Sequence, residues 1–432
     1  MRTNPHALDA VVTGAFAERE EPVRRLAADA ERVARACHDM ALRFSRGGTL
    51  LVFGIGTSAT DAQHISVEFV HPVIVGKRAL PALSLVSDIA TVLGVAERQG
   101  LDDVFSCQLS ILGKPVDIAL GVSADGECRS VLRGLEAAHR AGMLTVALVG
   151  GDGGAIAASR SVDHCFTVAS RNPRLVKEVH VTTYHVLWEL AHVFFDQPGL
   201  LDEEAPRAAA NAEIEALYPF LYAGTTSLPA VLDSVAASTR DKCAEILTLR
   251  RAMGEQQRKR LAECARWLAE AFAGGGKMLT FGNGGSSTDA QDVAHTFLGS
   301  PDGVGLPALC LTSDIAVVTA LSNDVGFDVV FARQVRAFGR PGDVAFGIST
   351  SGGSSNVLAA FNEAKRVGMV TVGLSGYGGG KMADLASLDM VFAVPSSSVH
   401  RVQEVQTTLY HVLWEATQAA LAGSGVPVGA GH

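Results

Sequence analysis

Short apolar runs rich in β-branched residues recur along the chain, and between them apolar residues return every three or four positions over longer stretches. In the carboxy-terminal half the short runs are MLTFG (278–282), ALCLT (308–312), DVAFGIS (343–349), VTVGLSG (370–376) and MVFAV (390–394). Runs of this length predict buried strands, and the periodic stretches between them predict helices. Strand and helix in regular alternation give a parallel sheet covered on both faces, a three-layer αβα fold of the flavodoxin or Rossmann kind. Ligands of such sheets bind beyond the carboxyl ends of the strands. Residues 202–276 carry helical periodicity, which predicts a helical prelude to the second half rather than a linker. The last ten residues, GSGVPVGAGH, predict disorder.

The two halves are copies of one another. LLVFGIGTSATDAQHISVEFV (50–70) matches MLTFGNGGSSTDAQDVAHTFL (278–298) at an offset of 228, and LPALSLVSDIATV (80–92) matches LPALCLTSDIAVV (306–318) at 226. DIALGVSADGECRSVL (117–132) and TTYHVLWEL (182–190) find partners in DVAFGISTSGGSSNVL (343–358) and TTLYHVLWEA (407–416), again at 226. Four ordered matches in nearly one frame are a tandem duplication. The domains are expected at 1–201 and 202–432.

Composition narrows the class. With 432 residues, 48% of them apolar, the chain can bury two full cores. No apolar run approaches the roughly 18 residues that span a bilayer. The start lacks the basic, apolar and small-residue regions of a secretory leader, so a soluble, cytoplasmic protein without membrane contact is expected. Cys37, Cys107, Cys128, Cys165, Cys243, Cys264 and Cys310 form no CxxC pair, and reduced, mostly structural thiols are expected. A net charge of −9 argues against nucleic acid as a partner, because its phosphates demand a basic surface. The arginines between Arg24 and Arg46 alternate with acids, Ala and Leu at helical spacing and read as a solvated helix face. An anionic ligand must therefore be held locally.

Two segments of the second copy are built for that. The strand ending at Phe281 runs into GNGGSSTDAQ, a glycine-rich turn opening a helix, and FGISTSGGSSNV crowds Ser349, Thr350, Ser351 and Ser354 at another strand-to-helix turn. Glycines let the backbone approach an anion, and a helix start offers free N–H groups and positive potential. Helix capping alone would also explain each turn taken singly. No Gly-Lys-Ser/Thr follows, so neither is a Walker loop, and the spacing does not fit GxGxxG.

With these motifs, LTSDIAVVTALSNDVGFDVVFARQV and VQEVQTTLYHVLWE, the second copy resembles the sedoheptulose-7-phosphate (phosphoheptose) isomerases of the sugar isomerase (SIS) domain superfamily, and the first copy does so more weakly. The resemblance implies that Ser286, Ser349, Thr350, Ser351 and Ser354 wrap the substrate phosphate, and that Asn283, Gly284, Asp314 and Gln403 contact substrate. Asp314 and its mate Asp88 also stand where a helix cap is wanted. The first copy has Ile55 and Thr57 in its glycine turn, Asp125 where Ser351 stands and Glu127 near the place of Ser354. Carboxylates repel a phosphate dianion, so no phosphate is expected there.

The family also implies a His and a Glu four apart after the glycine turn and a Gln and a His eight apart on a late helix, which together bind zinc in some members and supply the acid–base pair. Such spacings place each pair on one helix face. The first copy keeps His64 and Glu68 but has Lys177 at the Gln position, with His185 remaining. The second keeps Gln403 and His411 but has Asp292 and Thr296 at the first pair. The losses are complementary, so one composite metal set is expected from His64, Glu68, Gln403 and His411, with Asp292, Thr296, Lys177 and His185 in a lapsed one. His295 is a weaker substitute ligand. The arginine that many heptose isomerases carry four residues after the Glu is missing: Pro72 and Ser300 stand there. Tyr184, Trp188, Tyr410 and Trp414 read as packing residues.

The function expected from the resemblance is ketose–aldose isomerisation of a phosphosugar, sedoheptulose 7-phosphate to a heptose 7-phosphate, with Glu68 and His411 as catalytic residues and zinc as cofactor. The alternatives are the same reaction on another long-chain ketose phosphate, such as an octulose phosphate, or a non-catalytic SIS protein that binds a sugar phosphate. A homodimer of the tandem chain is expected.

Overall fold

In a computed structural model, residues 5–74, 76–201, 227–299 and 303–424 are described. The chain forms two compact units, Pro22–Ala244 and, together, Met1–Glu21 with Glu245–His432. They are called the first and second domain below.

In chain order the elements up to the first domain's last strand are α1 (Pro5–Glu18), α2 (Glu20–Ala28), α3 (Ala30–Ser45), β1 (Leu50–Gly54), α4 (Thr57–Val70), β2 (Ala82–Ser84), α5 (Ile89–Gln99), α6 (Val104–Leu112), β3 (Ile118–Ser123), α7 (Arg129–Arg140), β4 (Leu144–Gly150), α8 (Gly154–Ala158) and β5 (His164–Val168). A long helix, α9 (Pro173–Phe195), follows. Then come α10 (Leu228–Ala273), β6 (Met278–Gly282), α11 (Gly285–Gly299), β7 (Ala308–Cys310), α12 (Ile315–Asp324), α13 (Val330–Phe338), β8 (Val344–Ser349), α14 (Ser355–Val367), β9 (Val370–Ser375), α15 (Gly380–Ala383), β10 (Met390–Ala393) and α16 (Val399–Ser424). The five apolar runs of the second copy are its five strands. The helical prelude is α10 over 228–273; its expected part before residue 227, and the tail after 424, lie outside the described residues.

Both sheets are parallel, with strand orders β2-β1-β3-β4-β5 and β7-β6-β8-β9-β10. These are the same order, 2-1-3-4-5, in which the chain switches direction between the first and third strands. The crevice at that switch is where such folds bind ligands. In the second domain it lies between the ends of β6 and β8, where Gly282 pairs with Ile348. Phe281, Phe331 and Phe361 fill the core beneath it. Gly347 is needed there, since a Cβ would stand 2.5 Å from the Phe361 ring and 2.6 Å from that of Phe281.

The second domain is completed by α1, which packs on α16. Arg19, 1% exposed, reaches Glu415 at 3.0 Å. In the first domain, Lys242, in the first third of α10, makes the corresponding contact, 2.6 Å to Glu189, the repeat mate of Glu415. The cysteines are free thiols, and burial drives those of Cys37 and Cys264 far above their ordinary pKa. No helix among the described residues is long and apolar enough to cross a membrane.

Candidate functional site

At the end of β8 the chain turns through Thr350–Gly353 into α14. The Ser349 and Ser354 hydroxyls face each other at 3.0 Å, and Ser351 Oγ accepts from the Gly353 N–H at 3.2 Å. Ser354 is the N-cap residue of α14, yet its side chain makes no capping hydrogen bond. Capping is therefore not what this serine does; its hydroxyl is turned into the crevice-side cluster with Ser349. Gly352 holds φ +62°, and a Cβ there would meet the Gly379 carbonyl at 2.1 Å, so only glycine closes this loop. The glycine turn after β6 presents Ser286, 4% exposed, in the first turn of α11. Asn283 and Asn356 exchange amide hydrogen bonds of 2.8 and 2.9 Å, tying the two loops together. Sequence reading named Asn283 but missed Asn356, whose place in the first copy is taken by Ser130.

The first domain keeps the shape of this loop and fills it with its own charge. Gly126 repeats the positive φ, at +77°. Asp125 Oδ1 accepts from the Glu127 N–H at 2.9 Å and from Ser123 Oγ at 3.1 Å. Glu127 Oε1 accepts from the Ala155 N–H at 3.2 Å. A carboxylate thus takes up the same backbone N–H that Ser351 takes in the second copy. A cavity of about 730 Å³ opens here, lined by Asp125, Glu127, Asp152, Ser170 and Arg171 among others; its acidic lining does not suit a phosphate.

In each domain the helix after the glycine turn packs on the late helix. In the first, α4 and α9 bring together His64, Glu68 and His185, all buried, with one donor atom from each within 4.8 Å of the others. His64 Nε2 stands 3.4 Å from Glu68 Oε1, and the His64 and His185 rings are 5.3 Å apart. Tetrahedral zinc ligands at about 2.1 Å from the ion stand about 3.4 Å from one another, so two histidines and a carboxylate at this spacing fit a zinc-type ion. The expected set joined His64 and Glu68 to Gln403 and His411; the third donor that the structure brings to the pair is His185, which the repeat alignment had put in the other set. Lys177 turns away to the start of α4. Its ammonium donates to Asp61 Oδ1 at 2.8 Å, Thr60 Oγ1 at 2.9 Å and the Thr57 carbonyl at 3.1 Å.

In the second domain Asp292 Oδ2 accepts from the Tyr410 hydroxyl at 2.8 Å and lies 3.5 Å from His411 Nε2. Burial, with the carboxylates of Asp292 and Asp289, holds the Tyr410 phenol well above its ordinary pKa. Thr296 and Gln403 are buried on the same two helices. His295 is exposed while Asp292 and Thr296 are buried, so it does not share their face. Ser300 lies outside the described residues. Asp314 caps α12 through a 3.1 Å bond from the Val317 N–H, and Asp88 caps α5 in the same way from Thr91. Tyr184, Trp188, Tyr410 and Trp414 are buried as packing residues. Of the early arginines, Arg32 and Arg43 bond main-chain carbonyls of the first domain.

The chain resembles known proteins along both halves. Residues 16–150 and 243–376 each match the SIS domain. A phosphoheptose isomerase of Roseiflexus sp. (strain RS-1) is 42% identical over 191 residues, 44% of this chain and 96% of the relative. Another, from Desulfovibrio desulfuricans, is 45% identical over 188 residues, 43% of this chain and 87% of the relative. The tagatose-6-phosphate ketose/aldose isomerase structure from Escherichia coli aligns over 98% of this chain and 96% of its own, with a TM-score of 0.56 and 12% identity, a likeness of fold alone. With two matched segments that cover most of its length, the chain belongs to the SIS domain family.

Proposed function

We propose that the chain is a phosphosugar ketose–aldose isomerase that converts sedoheptulose 7-phosphate to a heptose 7-phosphate, using residues drawn from both copies. The observation that carries this reading is the hydroxyl loop after β8: Ser349 and Ser354 face each other at 3.0 Å beside Ser351, Thr350 and the start of α14. Ser286 from the glycine turn completes the phosphate cradle, with Asn283 and Gly284 beside it and Asp314 and Gln403 toward the sugar. Phosphoheptose isomerases more than 40% identical to part of the chain support the choice of sugar.

Neither copy holds a whole set. The first has His64, Glu68 and His185 but a loop occupied by its own Asp125; the second has the hydroxyl loop but Asp292 and Thr296 in place of the His and Glu. In the proposed reaction Glu68 takes a proton from C1 of the ketose. The C–H pair forms the C1–C2 double bond, and the carbonyl pair becomes an oxyanion on O2, which His411 protonates. Return of the proton from Glu68 to C2, with loss of the O1 proton to His411, yields the aldehyde. A zinc ion on the first domain's cluster would polarise a sugar oxygen as a Lewis acid, and Glu68 would release that ion to act as the base.

The test is incubation of the full chain with sedoheptulose 7-phosphate in deuterated water. Formation of a heptose 7-phosphate with deuterium at C2 is expected. Binding of the sugar phosphate without product or label would leave a binding protein and overturn the isomerase.

A further inference from the structure

At the place where the first domain assembles a metal-type cluster, the second assembles something else. Relative to the first copy, His64 has become Asp292 and Glu68 has become Thr296, while Tyr184 and His185 persist as Tyr410 and His411. The exchange replaces a histidine and a glutamate by a single carboxylate donor, set against the histidine that remains: Asp292 Oδ2 lies 3.5 Å from His411 Nε2 and 2.8 Å from the Tyr410 hydroxyl. All three side chains are at most 1% exposed. A buried carboxylate facing one ring nitrogen fixes the imidazole's orientation and tautomer, as an ion bound to the ring would otherwise do. Among the described residues, His64, Glu68 and His185 are the only group of three or more His, Cys, Asp or Glu spaced to hold a metal. Lys177, at the family's Gln position, donates to Asp61, Thr60 and the Thr57 carbonyl, and as an ammonium it offers a cation no lone pair. Two histidines and a carboxylate are the ligand set of catalytic zinc sites, which keep a position for water or substrate, rather than of closed structural ones.

We propose that the chain binds a single zinc-type ion, on His64, Glu68 and His185 of its first domain, and that in the second domain Asp292, braced by Tyr410, stands in for the metal as the group that positions His411. The role of His411 rests on the isomerase reading above; the metal count does not.

The decisive experiment loads the purified full chain with zinc, removes loose metal by dialysis and counts ions by mass spectrometry. One ion per chain is expected. His64→Ala or His185→Ala should bring the count near zero, and Asp292→Ala should leave it at one. The double change Asp292→His with Thr296→Glu, which restores the family's donors beside Gln403 and His411, should raise it to two. Lys177→Gln should keep one ion and slow its loss to a chelator about tenfold or more. Two ions in the unaltered chain, none, or loss of the ion on Asp292→Ala would each overturn the proposal. For the positioning role, Asp292→Ala should lower kcat about 100-fold with KM within about threefold, because the phosphate loop is untouched. The ¹⁵N shifts of the His411 ring should also pass from one tautomer to a mixture. An unchanged tautomer refutes the role of Asp292 even in a chain that turns over no sugar phosphate, an outcome that by itself would remove only the isomerase reading.

Discussion

Replacing Ser351 by Asp copies the first domain's residue into the second domain's loop. The fold should tolerate it. Asp125 already occupies the equivalent place, accepting from the Glu127 N–H at 2.9 Å, where Ser351 accepts from the Gly353 N–H at 3.2 Å. What changes is the charge opposite the ligand. A carboxylate about 4 Å from a phosphate oxygen, at an effective dielectric constant of about 20, costs about 4 kcal/mol per pair of unit charges, and more against a dianion. At 1.36 kcal/mol per tenfold, a loss of about a thousandfold or more in kcat/KM for sedoheptulose 7-phosphate is expected, with most of it in KM. Titration calorimetry with the sugar phosphate would read the same loss directly, and an unchanged melting temperature would show that the fold survives. Asp125→Ser, the reverse exchange, should leave kcat/KM within a few-fold. Retained affinity in Ser351→Asp, or equal sensitivity of the two loops, would refute the assignment of phosphate binding to the second copy.

Glu68→Gln and His411→Ala should each remove most activity, and together scarcely more than either alone, since groups acting as one unit are non-additive; additive losses in steady-state rates would show two independent sites. Burial holds the His180 ring neutral, with its pKa lowered to about 3 against an unfolded value of about 6.5. The unfolded chain therefore takes up the proton first: stability from this group is complete above about pH 6.5 and falls by about 1.4 kcal/mol per pH unit toward pH 3. His180→Gln, which copies Gln406 of the second copy, should flatten that slope between pH 7 and 5 in urea unfolding. Each domain exposes the same apolar positions, Leu83, Ile89, Leu101 and Leu112 in one and Leu309, Ile315, Phe327 and Phe338 in the other. Sedimentation should find a dimer of chains at micromolar concentration, and Ile89→Asp with Ile315→Asp should weaken it; a monomer throughout would contradict this. A fragment beginning at residue 202 lacks α1, and with it the buried Leu8, Val12 and Phe16 and the Arg19–Glu415 pair. At about 2 kcal/mol for each apolar side chain its stability should be lost and regained on adding residues 1–21 as a peptide.

The strands were legible because each is a short apolar run closed by glycine or a polar turn, and the duplication allowed each reading in one copy to be checked in the other. The parallel sheets followed from the alternation alone. What alignment of the repeats could not supply was which side chains meet. It matched Lys177 to Gln403 and His185 to His411 as columns, and a column carries no distance. From columns, complementarity favoured joining His64 and Glu68 to the second copy's late helix. The packing of α4 on α9 within one domain brings His185 to them. The same limit hid Asp292. As a letter replacing a metal ligand it reads as decay, but its carboxylate, 2.8 Å from the Tyr410 hydroxyl and 3.5 Å from His411, reads as replacement of one orienting group by another. Asn356 escaped notice for a further reason: its partner Asn283 lies 73 residues away, and an amide pair leaves no periodic trace. Divergence of the two copies therefore has two physical forms here. In the loops a serine became a carboxylate that satisfies the backbone N–H once offered to an anion, which closes the site. On the helices a histidine became a carboxylate that stands 3.5 Å from the neighbouring histidine, the place from which the proposed orienting role would be exerted.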